Sequence, residues 1–224
     1  EFSSWIKPGD VIVSGAPKAG TNWLLYACHQ IRTRGEGYFN DVNVETPWPE
    51  LLHRPGQRWA GPGGLKELLL SNGTRLPARA AASGVLQRQG EGKLLRPLWD
   101  GPEYPFRIFK SHSTPAPIAP SRWTRRESVL PVRTRKDVKF VVIVRAGDDV
   151  IPSFAAFIGR HRPEFSAMWG GFPRCLDLLS IRDLVFEAML PGRPLAYIFW
   201  DFVAEWFPLR HAENVLLLHY SDLH

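Results

Sequence analysis

The stretch Val11-Ile-Val-Ser-Gly-Ala-Pro-Lys-Ala-Gly-Thr-Asn-Trp23 joins a short apolar run to the beginning of a helical pattern that continues to Arg34. A loop between a strand and a helix presents backbone N–H groups and the positive end of the helix dipole to an anion. Lys18 adds a positive charge inside this loop, and Thr21 and Asn22 add side-chain hydrogen-bond donors. The stretch therefore predicts an anion-binding loop, and the alternative is a glycine-containing turn that binds no ligand.

The same loop differs from the loop that binds nucleoside triphosphates. Such loops place a lysine and a magnesium-binding hydroxyl directly after the second glycine. Here Lys18 lies inside the loop, and Gly20 is followed by Thr21. The later apolar run Phe140–Val144 leads into Arg145 rather than into a carboxylate. A magnesium-dependent kinase or triphosphatase is therefore the less favoured alternative, and we expect no metal ion.

The rest of the chain alternates apolar runs with helical patterns. Continuously apolar runs are typical of strands covered on both faces, so the alternation predicts a doubly wound α/β fold, a parallel sheet with helices on both faces. The predicted strands are Val11–Gly15, Arg107–Lys110, Lys139–Val144 and Asn214–His219. The predicted helices are Thr21–Arg34 with Gly35 as its C-cap, one from Asp148 or Asp149 to just before Gly159 with Pro152 in its first turn, Leu176–Leu190 and Leu195–Trp206.

A different composition marks the segment Thr46–Pro105, which is rich in glycine and proline. Only Leu65–Leu70 and Arg79–Gln87 show short helical patterns there. We expect this segment to be a loop-rich surface excursion of a single domain that takes in residues 1–224, rather than a second domain.

The formal net charge of +6 over 224 residues favours an anionic partner. The basic stretch Arg122–Lys139 does not show the pattern of basic residues regularly interleaved with exposed aromatic residues on one element that a nucleic-acid surface needs, so we expect a solvated loop and no nucleic-acid surface. Cys28 and Cys175 lie in apolar helical patterns, which favours buried thiols over a disulfide framework or a metal cluster.

Neither a membrane-spanning apolar run nor a secretory leader is present in the sequence, so we expect no transmembrane segment and a cytoplasmic protein. The chain begins at Glu1 and ends abruptly after a strand, which indicates a fragment of a longer protein. The sequence leaves the oligomeric state open.

Four segments, in order, resemble the motifs of the cytosolic-type sulfotransferase family. Pro17–Trp23 resembles that family's 5′-phosphosulfate loop, Pro-Lys-Ser-Gly-Thr-Thr-Trp. Arg107–His112 resembles the strand with its Lys-Ser/Thr-His motif, and Val144–Ser153 resembles its 3′-phosphate motif, Arg-Asn-Pro-x-Asp-Val-x-x-Ser. The helix Phe202–Phe207 and the strand Val215–Asp222 resemble the elements that close its nucleotide pocket.

The resemblance implies transfer of a sulfuryl group from 3′-phosphoadenosine 5′-phosphosulfate to a hydroxyl or amine of an acceptor, expected to be a small molecule. Lys18 would stabilise charge on the leaving phosphate, His112 would act as general base, and Lys110, two residues away on one strand face, would stabilise the transferring group. The residues expected to bind the donor are Lys18, Ala19, Gly20, Thr21, Asn22, Trp23, Arg145, Ser153 and Tyr220; Trp23 and Tyr220 are expected against the adenine.

Several positions depart from the family pattern. Asn22 replaces a threonine, Gly147-Asp148 replaces a proline-containing turn, and Phe202 stands where many members carry histidine. The family's C-terminal glycine-rich loop, which completes the 3′-phosphate site, is absent, so a noncatalytic nucleotide-binding relative is a second alternative. Acceptor specificity is expected in Thr46–Pro105 and Phe154–Pro173, and the aromatic-rich composition hints at a phenolic or steroid-like acceptor.

Overall fold

The computed structural model describes residues 6–37, 45–46, 48, 58–59, 67–69, 75–77, 104–116, 130–159, 181–191, 196 and 199–223. In chain order the elements are β1 (Val11–Gly15), α1 (Thr21–Thr33), β2 (Arg58–Trp59), β3 (Glu67–Leu69), β4 (Arg75–Pro77), β5 (Ile108–Ser111), β6 (Lys139–Val144), α2 (Gly147–Gly159), α3 (Ile181–Asp183), α4 (Trp200–Trp206) and β7 (Val215–His219). A π-helix, Leu184–Met189, continues α3, and 3₁₀ turns follow α4 at Phe207–Leu209 and β7 at Tyr220–Leu223.

The main sheet has four parallel strands in the order β5-β1-β6-β7. Within it, Val11 is in register with both Ile108 and Lys139, and Phe140 is in register with Val215. Parallel neighbours require crossover connections, and α1 and α2 lie on such connections in the chain. The predicted α/β fold with a parallel sheet is confirmed.

Helices cover both faces of this sheet. Lys110 of β5 bonds Asn22 of α1, whereas Phe140 of β6 packs on Trp206 of α4 with ring centroids 6.2 Å apart. Phe109, the chain neighbour of Lys110, is in register with Phe140 through β1. Because successive residues of a strand point to opposite faces, α1 and α4 lie on opposite sides of the sheet.

The core fills the space between the sheet and these two helices. Its largest fully buried side chains include Leu25 of α1, Phe109 and Phe140 of the sheet, and Phe202 and Trp206 of α4. Burial of each such side chain contributes about 1.5–3 kcal/mol relative to exposure. The apolar runs that predicted the strands are therefore also the residues that stabilise the fold.

One helical expectation is wrong. Glu67–Leu69, inside the predicted helical pattern Leu65–Leu70, forms strand β3 and pairs antiparallel with both β2 and β4. The chain between β3 and β4 contains Asn72-Gly73, the dipeptide typical of hairpin turns, and strand pairing outweighed the short apolar run. The other short pattern, Arg79–Gln87, lies outside the described residues.

The helix ends differ from the predictions by small shifts. Helix α1 ends at Thr33, and Arg34 rather than Gly35 is the left-handed C-cap, with a φ of 57°. Helix α2 begins at Gly147 and includes Gly159, so Pro152 lies in the second turn instead of the first. At that position the proline has no N–H to donate to the carbonyl of residue 148. Residue 148 lies on the exposed side of the helix.

The two later helices are less regular than their amphipathic patterns suggested. The described part of Leu176–Leu190 is α-helical only at Ile181–Asp183, and it then widens into the π-helix. The described helix within Leu195–Trp206 is α4, which begins at Trp200. Helical periodicity fixes which face is apolar, but it does not distinguish α from π geometry.

Cys28 is a buried free thiol, and burial raises its pKa to about 11 against the opposing charge of Arg32. The buried-thiol prediction is confirmed for Cys28, whereas Cys175 lies outside the described residues. Among the helices of the described residues, none is long and apolar enough to cross a membrane.

Candidate active site

Four parallel strands end at one edge of the sheet, and the candidate site residues follow those ends. The loop after Gly15 follows β1, His112 follows β5, Arg145 follows β6 and Tyr220 follows β7. Ligands of open α/β sheets bind outside the carboxyl ends of the strands. The fold therefore brings together residues that are up to 205 positions apart in sequence, from Gly15 to Tyr220.

The loop between β1 and α1 has an unusual backbone. Lys18 and Gly20 both have positive φ, 69° and 103°, and the N–H of Ala19 bonds the carbonyl of Ala16 at 3.0 Å. A Cβ at Gly20 would lie 2.7 Å from the Tyr220 ring, so a side chain at that position would displace the tyrosine. The backbone thus turns tightly into α1, whose first N–H groups have no partner within the helix.

Thr21 places a hydroxyl at this helix start. The residue is 5% exposed, and its Oγ1 finds no hydrogen-bond partner in the described part of the chain. The N-terminus of α1 also lacks a side-chain cap. A buried hydroxyl without a partner costs about 1–3 kcal/mol, and an anion seated at the helix start would offset that cost.

A hydrogen bond between Lys110 and Asn22 connects strand β5 to the start of α1. The Lys110 ammonium donates to Asn22 Oδ1 at 3.0 Å and lies 4.7 Å from the centroid of the Trp48 ring. Asn22, which replaces the family's threonine, therefore accepts a hydrogen bond with its oxygen and keeps its amide N–H₂ as a donor. The asparagine at position 22, where the family has a threonine, thus holds the Lys110 side chain in position.

His112 bonds Gly15, the last residue of β1, which directly precedes the loop. Its Nδ1 contacts the carbonyl oxygen of Gly15. Because a carbonyl only accepts, Nδ1 carries the hydrogen, and Nε2 of the neutral ring is the nitrogen that accepts a proton. Burial, then the nearby charge of Lys110, lowers the pKa of His112 to about 3, against the opposing effect of the Gly15 bond. The ring is thus neutral at physiological pH.

Trp48 is a site residue that the sequence reasoning missed. Its ring meets the His112 ring edge-on, with centroids 4.6 Å apart and an interplanar angle of 89°, and it also contacts Lys110. It lies within Thr46–Pro105, where the sequence predicted only an acceptor-determining loop. The available signal was a tryptophan between two prolines, Pro47 and Pro49, which restrict the backbone around it.

Arg145 and Tyr220 form the opposite side of the site. The Arg145 guanidinium lies 4.2 Å from the Tyr220 ring centroid, and its Nε donates to Asp149 at 3.2 Å. The Tyr220 ring also packs against Gly20. The tyrosine therefore connects the loop after β1 to the arginine after β6, and Trp23 at the start of α1 keeps 46% of its surface exposed.

Helix α2 carries a row of residues four apart along one face. Asp149 contacts Arg145, and Phe157, two turns later, contacts the Lys18 ammonium at 4.9 Å from its ring centroid. Ser153 is half-buried and lies one turn from each of them. This arrangement places Ser153 on the helix face that holds both the loop lysine and the arginine.

The described residues were also compared with the side-chain clusters that bind metal ions. Across the residues that the structure describes, no group of three or more His, Cys, Asp and Glu side chains is placed to hold a metal ion.

Comparison with known proteins gives one family match. The family model described as "Sulfotransferase domain" matches residues 8–224. Among solved structures, a retinol dehydratase in complex with androsterone and the inactive cofactor PAP is similar, at 17% identity and a TM-score of 0.48. The match covers 99% of this chain but 57% of the solved one. No curated protein matches the sequence significantly. By the family match over nearly its whole length, the chain belongs to the sulfotransferase domain family.

Proposed function

We propose that the protein transfers a sulfuryl group from 3′-phosphoadenosine 5′-phosphosulfate to a hydroxyl or amine of a small-molecule acceptor. The observation that carries this proposal is the bond between His112 and the carbonyl of Gly15, because Gly15 directly precedes the loop to which we assign the donor and the imidazole is neutral. Family membership supports the same reaction class.

Donor binding is assigned to the loop and to the face of α2. The loop residues Lys18–Trp23 receive the 5′-phosphosulfate at the N-terminus of α1, where the partnerless Thr21 hydroxyl fits an anionic oxygen. Arg145 and Ser153 take the 3′-phosphate, for which a guanidinium supplies two parallel donors. The exposed Trp23 ring offers a stacking surface for the adenine.

The transfer needs one proton acceptor and positive charge at the reacting group. The acceptor oxygen or nitrogen forms a bond to sulfur, while the bond from sulfur to the bridging phosphate oxygen breaks and releases 3′-phosphoadenosine 5′-phosphate. The acceptor proton goes to Nε2 of His112. Lys18 offsets charge on the leaving phosphate, and Lys110, held by Asn22, offsets charge on the sulfuryl oxygens.

Donor charge strengthens His112 as a base. Without donor, burial and Lys110 keep the pKa of His112 near 3, which leaves the ring neutral but weakly basic. A polyanionic donor bound nearby favours the protonated ring and raises this pKa toward the operating pH. The base therefore becomes effective when the donor is in place.

Donor binding is tested by thermal denaturation with 3′-phosphoadenosine 5′-phosphate. A ligand that binds only the folded state raises the melting temperature with concentration. We expect saturable stabilisation that is reduced in Lys18→Ala and Arg145→Ala, retained in the control Arg133→Ala on the exposed turn before β6, and not reproduced by ATP with magnesium. Stabilisation by ATP with magnesium alone would instead support a phosphotransferase.

Transfer is tested with sulfur-labelled donor and a panel of phenols, alcohols and amines. His112→Asn retains an amide donor for the Gly15 carbonyl but removes the base, so we expect a loss of roughly 10²–10⁴-fold in rate with nucleotide binding unchanged. An unaffected rate would rule out His112 as the base. Nucleotide binding without transfer to any acceptor would identify a noncatalytic relative.

A further inference from the structure

A buried polar network lies at the far end of α1 from the candidate site. Arg32, 3% exposed, donates from Nε and Nη2 to Nδ1 of His29 at 3.0 and 2.9 Å. The same Nη2 donates to the backbone carbonyl of Glu45 at 2.8 Å, and the guanidinium lies 4.0 Å from the Tyr104 ring centroid. One side chain thus joins α1 to two segments that are distant in sequence.

The chemistry of the network fixes its arrangement. A guanidinium only donates, so Nδ1 of His29 accepts, and the proton of the neutral ring is on Nε2. His29 is completely buried, and the Glu45 carboxylate lies 3.9 Å from Arg32. Buried polar groups linked in this way hold a single geometry, because each displaced partner leaves an unsatisfied group.

The segment from Glu45 to Trp48 connects this network to the candidate site. Arg32 is in the last turn of α1, and Asn22, which bonds Lys110, is ten residues earlier, about 15 Å along the helix axis. Arg32 in the last turn of α1 therefore holds Glu45, and the ring of Trp48, three residues later, lies on Lys110, which bonds Asn22 in the first turn.

We propose that Arg32 is a positioning residue that holds Glu45 and thereby keeps the Trp48 ring against Lys110 and His112, where the ring excludes water from the base. Thr46, between the two held residues, is fully buried, so displacement of Glu45 shifts packed chain rather than a free loop. The catalytic significance of this arrangement rests on the proposed function, whereas the positioning itself does not.

The proposal has a readout that needs no turnover. The Trp48 ring covers His112 edge-on, and burial is the main cause of the low pKa of His112. Lys110, the charged group that also lowers this pKa, bonds Asn22 at 3.0 Å, a contact that Arg32→Met leaves untouched. Release of Trp48 admits water to the imidazole, so the pKa of His112 shifts toward its ordinary value of 6.5.

The test is an NMR titration of the His112 imidazole in wild type, Trp48→Ala and Arg32→Met. We expect titration well below pH 5 in wild type and a rise of at least one pH unit in both variants. An unchanged titration in Arg32→Met would overturn the proposal, and so would a wild-type value near 6.5. If Arg32→Met does not fold, Arg32→Lys, which loses the forked donor but keeps the charge, takes its place with a smaller expected rise.

Arg107→Met is the matched control for structural damage. Arg107 is also a buried arginine, 7% exposed, but it pairs with Asp10 at the opposite edge of the sheet. We expect Arg107→Met to lower the melting temperature without moving the His112 titration. A shift as large as that of Arg32→Met would mean that general loosening, not the Glu45 contact, moves the base.

A double-mutant cycle on transfer rate adds an independent readout. If Arg32 acts through Trp48, the combined variant loses no more activity than Trp48→Ala alone, with KM for the donor unchanged. Losses that multiply would contradict the proposal. If wild type transfers no sulfuryl group, the proposed function fails, and the titration alone then decides the role of Arg32.

Discussion

The two edges of the central sheet differ in the partners of particular buried polar groups. At the amino edge, Asp10 and Arg107 are both buried and bonded through both carboxylate oxygens, and the Asn214 amide donates to the carbonyls of Val132 and Arg135. At the carboxyl edge, the buried Thr21 hydroxyl has no partner among the described residues, and Trp23 is 46% exposed.

This difference agrees with the proposed function, in which the groups at the amino edge stabilise the fold and those at the carboxyl edge bind the donor. A buried polar group that has its partner contributes to stability or specificity, whereas one without a partner costs free energy in the absence of ligand. Proteins accept such costs at functional sites. The same sheet thus predicts opposite responses to substitution at its two edges.

The largest expected effect is on stability at the amino edge. Asp10→Asn removes the carboxylate that contacts the buried Arg107 guanidinium, and breaking a buried pair in this way costs about 3–5 kcal/mol. We expect that decrease in the free energy of unfolding, measured in urea, with nucleotide affinity unchanged in the remaining folded protein.

The exposed pair Arg135–Asp137 provides its control, since its carboxylate also receives two guanidinium bonds, at 2.8 Å each. Asp137→Asn should leave the urea midpoint nearly unchanged because solvent screens the pair. Equal losses in the two variants would refute burial as the cause.

A smaller effect of opposite kind is expected at the carboxyl edge. Thr21→Val removes the partnerless hydroxyl, so we expect unchanged or higher stability but roughly tenfold weaker binding of 3′-phosphoadenosine 5′-phosphate, measured by calorimetry. Thr33→Val is the control at the other end of α1, where the hydroxyl already donates to the His29 carbonyl at 2.8 Å. Wild-type affinity in Thr21→Val would contradict the assignment of that hydroxyl to the donor.

The smallest expected effect is the pH dependence that His112 gives to stability. Its folded pKa is near 3 and its ordinary value is 6.5, so the unfolded chain binds the proton first as pH falls between these values. Stability is therefore lost below about pH 6.5, by about 1 kcal/mol at pH 5.5. The measurement is urea denaturation at both pH values, and His112→Asn should lose this component; an identical pH dependence in that variant would contradict it.

Local sequence patterns correctly predicted the elements that depend on their own residues rather than on contacts with distant segments. The strands Val11–Gly15 and Lys139–Val144 match the prediction to the residue because their apolar runs are buried in the sheet. The loop with Lys18 and Gly20 was predictable since its geometry depends on neighbouring residues. The resemblance to the family motifs assigned His112 and Arg145 to the site, and both residues follow strands of a parallel sheet, whose carboxyl ends lie at one edge.

Contacts between distant segments were not predictable in this way. The Trp48 ring contacts His112, which is distant in sequence, and Arg32 of α1 bonds Glu45 through a backbone carbonyl, a group that every residue has. The helical pattern at Leu65–Leu70 failed for a related reason, since β3 depends on its pairing partners. The local periodicity of a sequence contains no information about such contacts.

Helix α2 sets the spacing between two cations of the proposed donor site, Lys18 and Arg145. Asp149 and Phe157, which hold Arg145 and Lys18, are eight residues apart, about 12 Å along one continuous helix. A nucleotide with phosphates on two different ribose carbons can present charge to both cations at once, whereas a triphosphate chain concentrates its charge at one end. In the proposed donor site, we therefore expect the spacing that this helix sets to favour the first of these two classes of nucleotide.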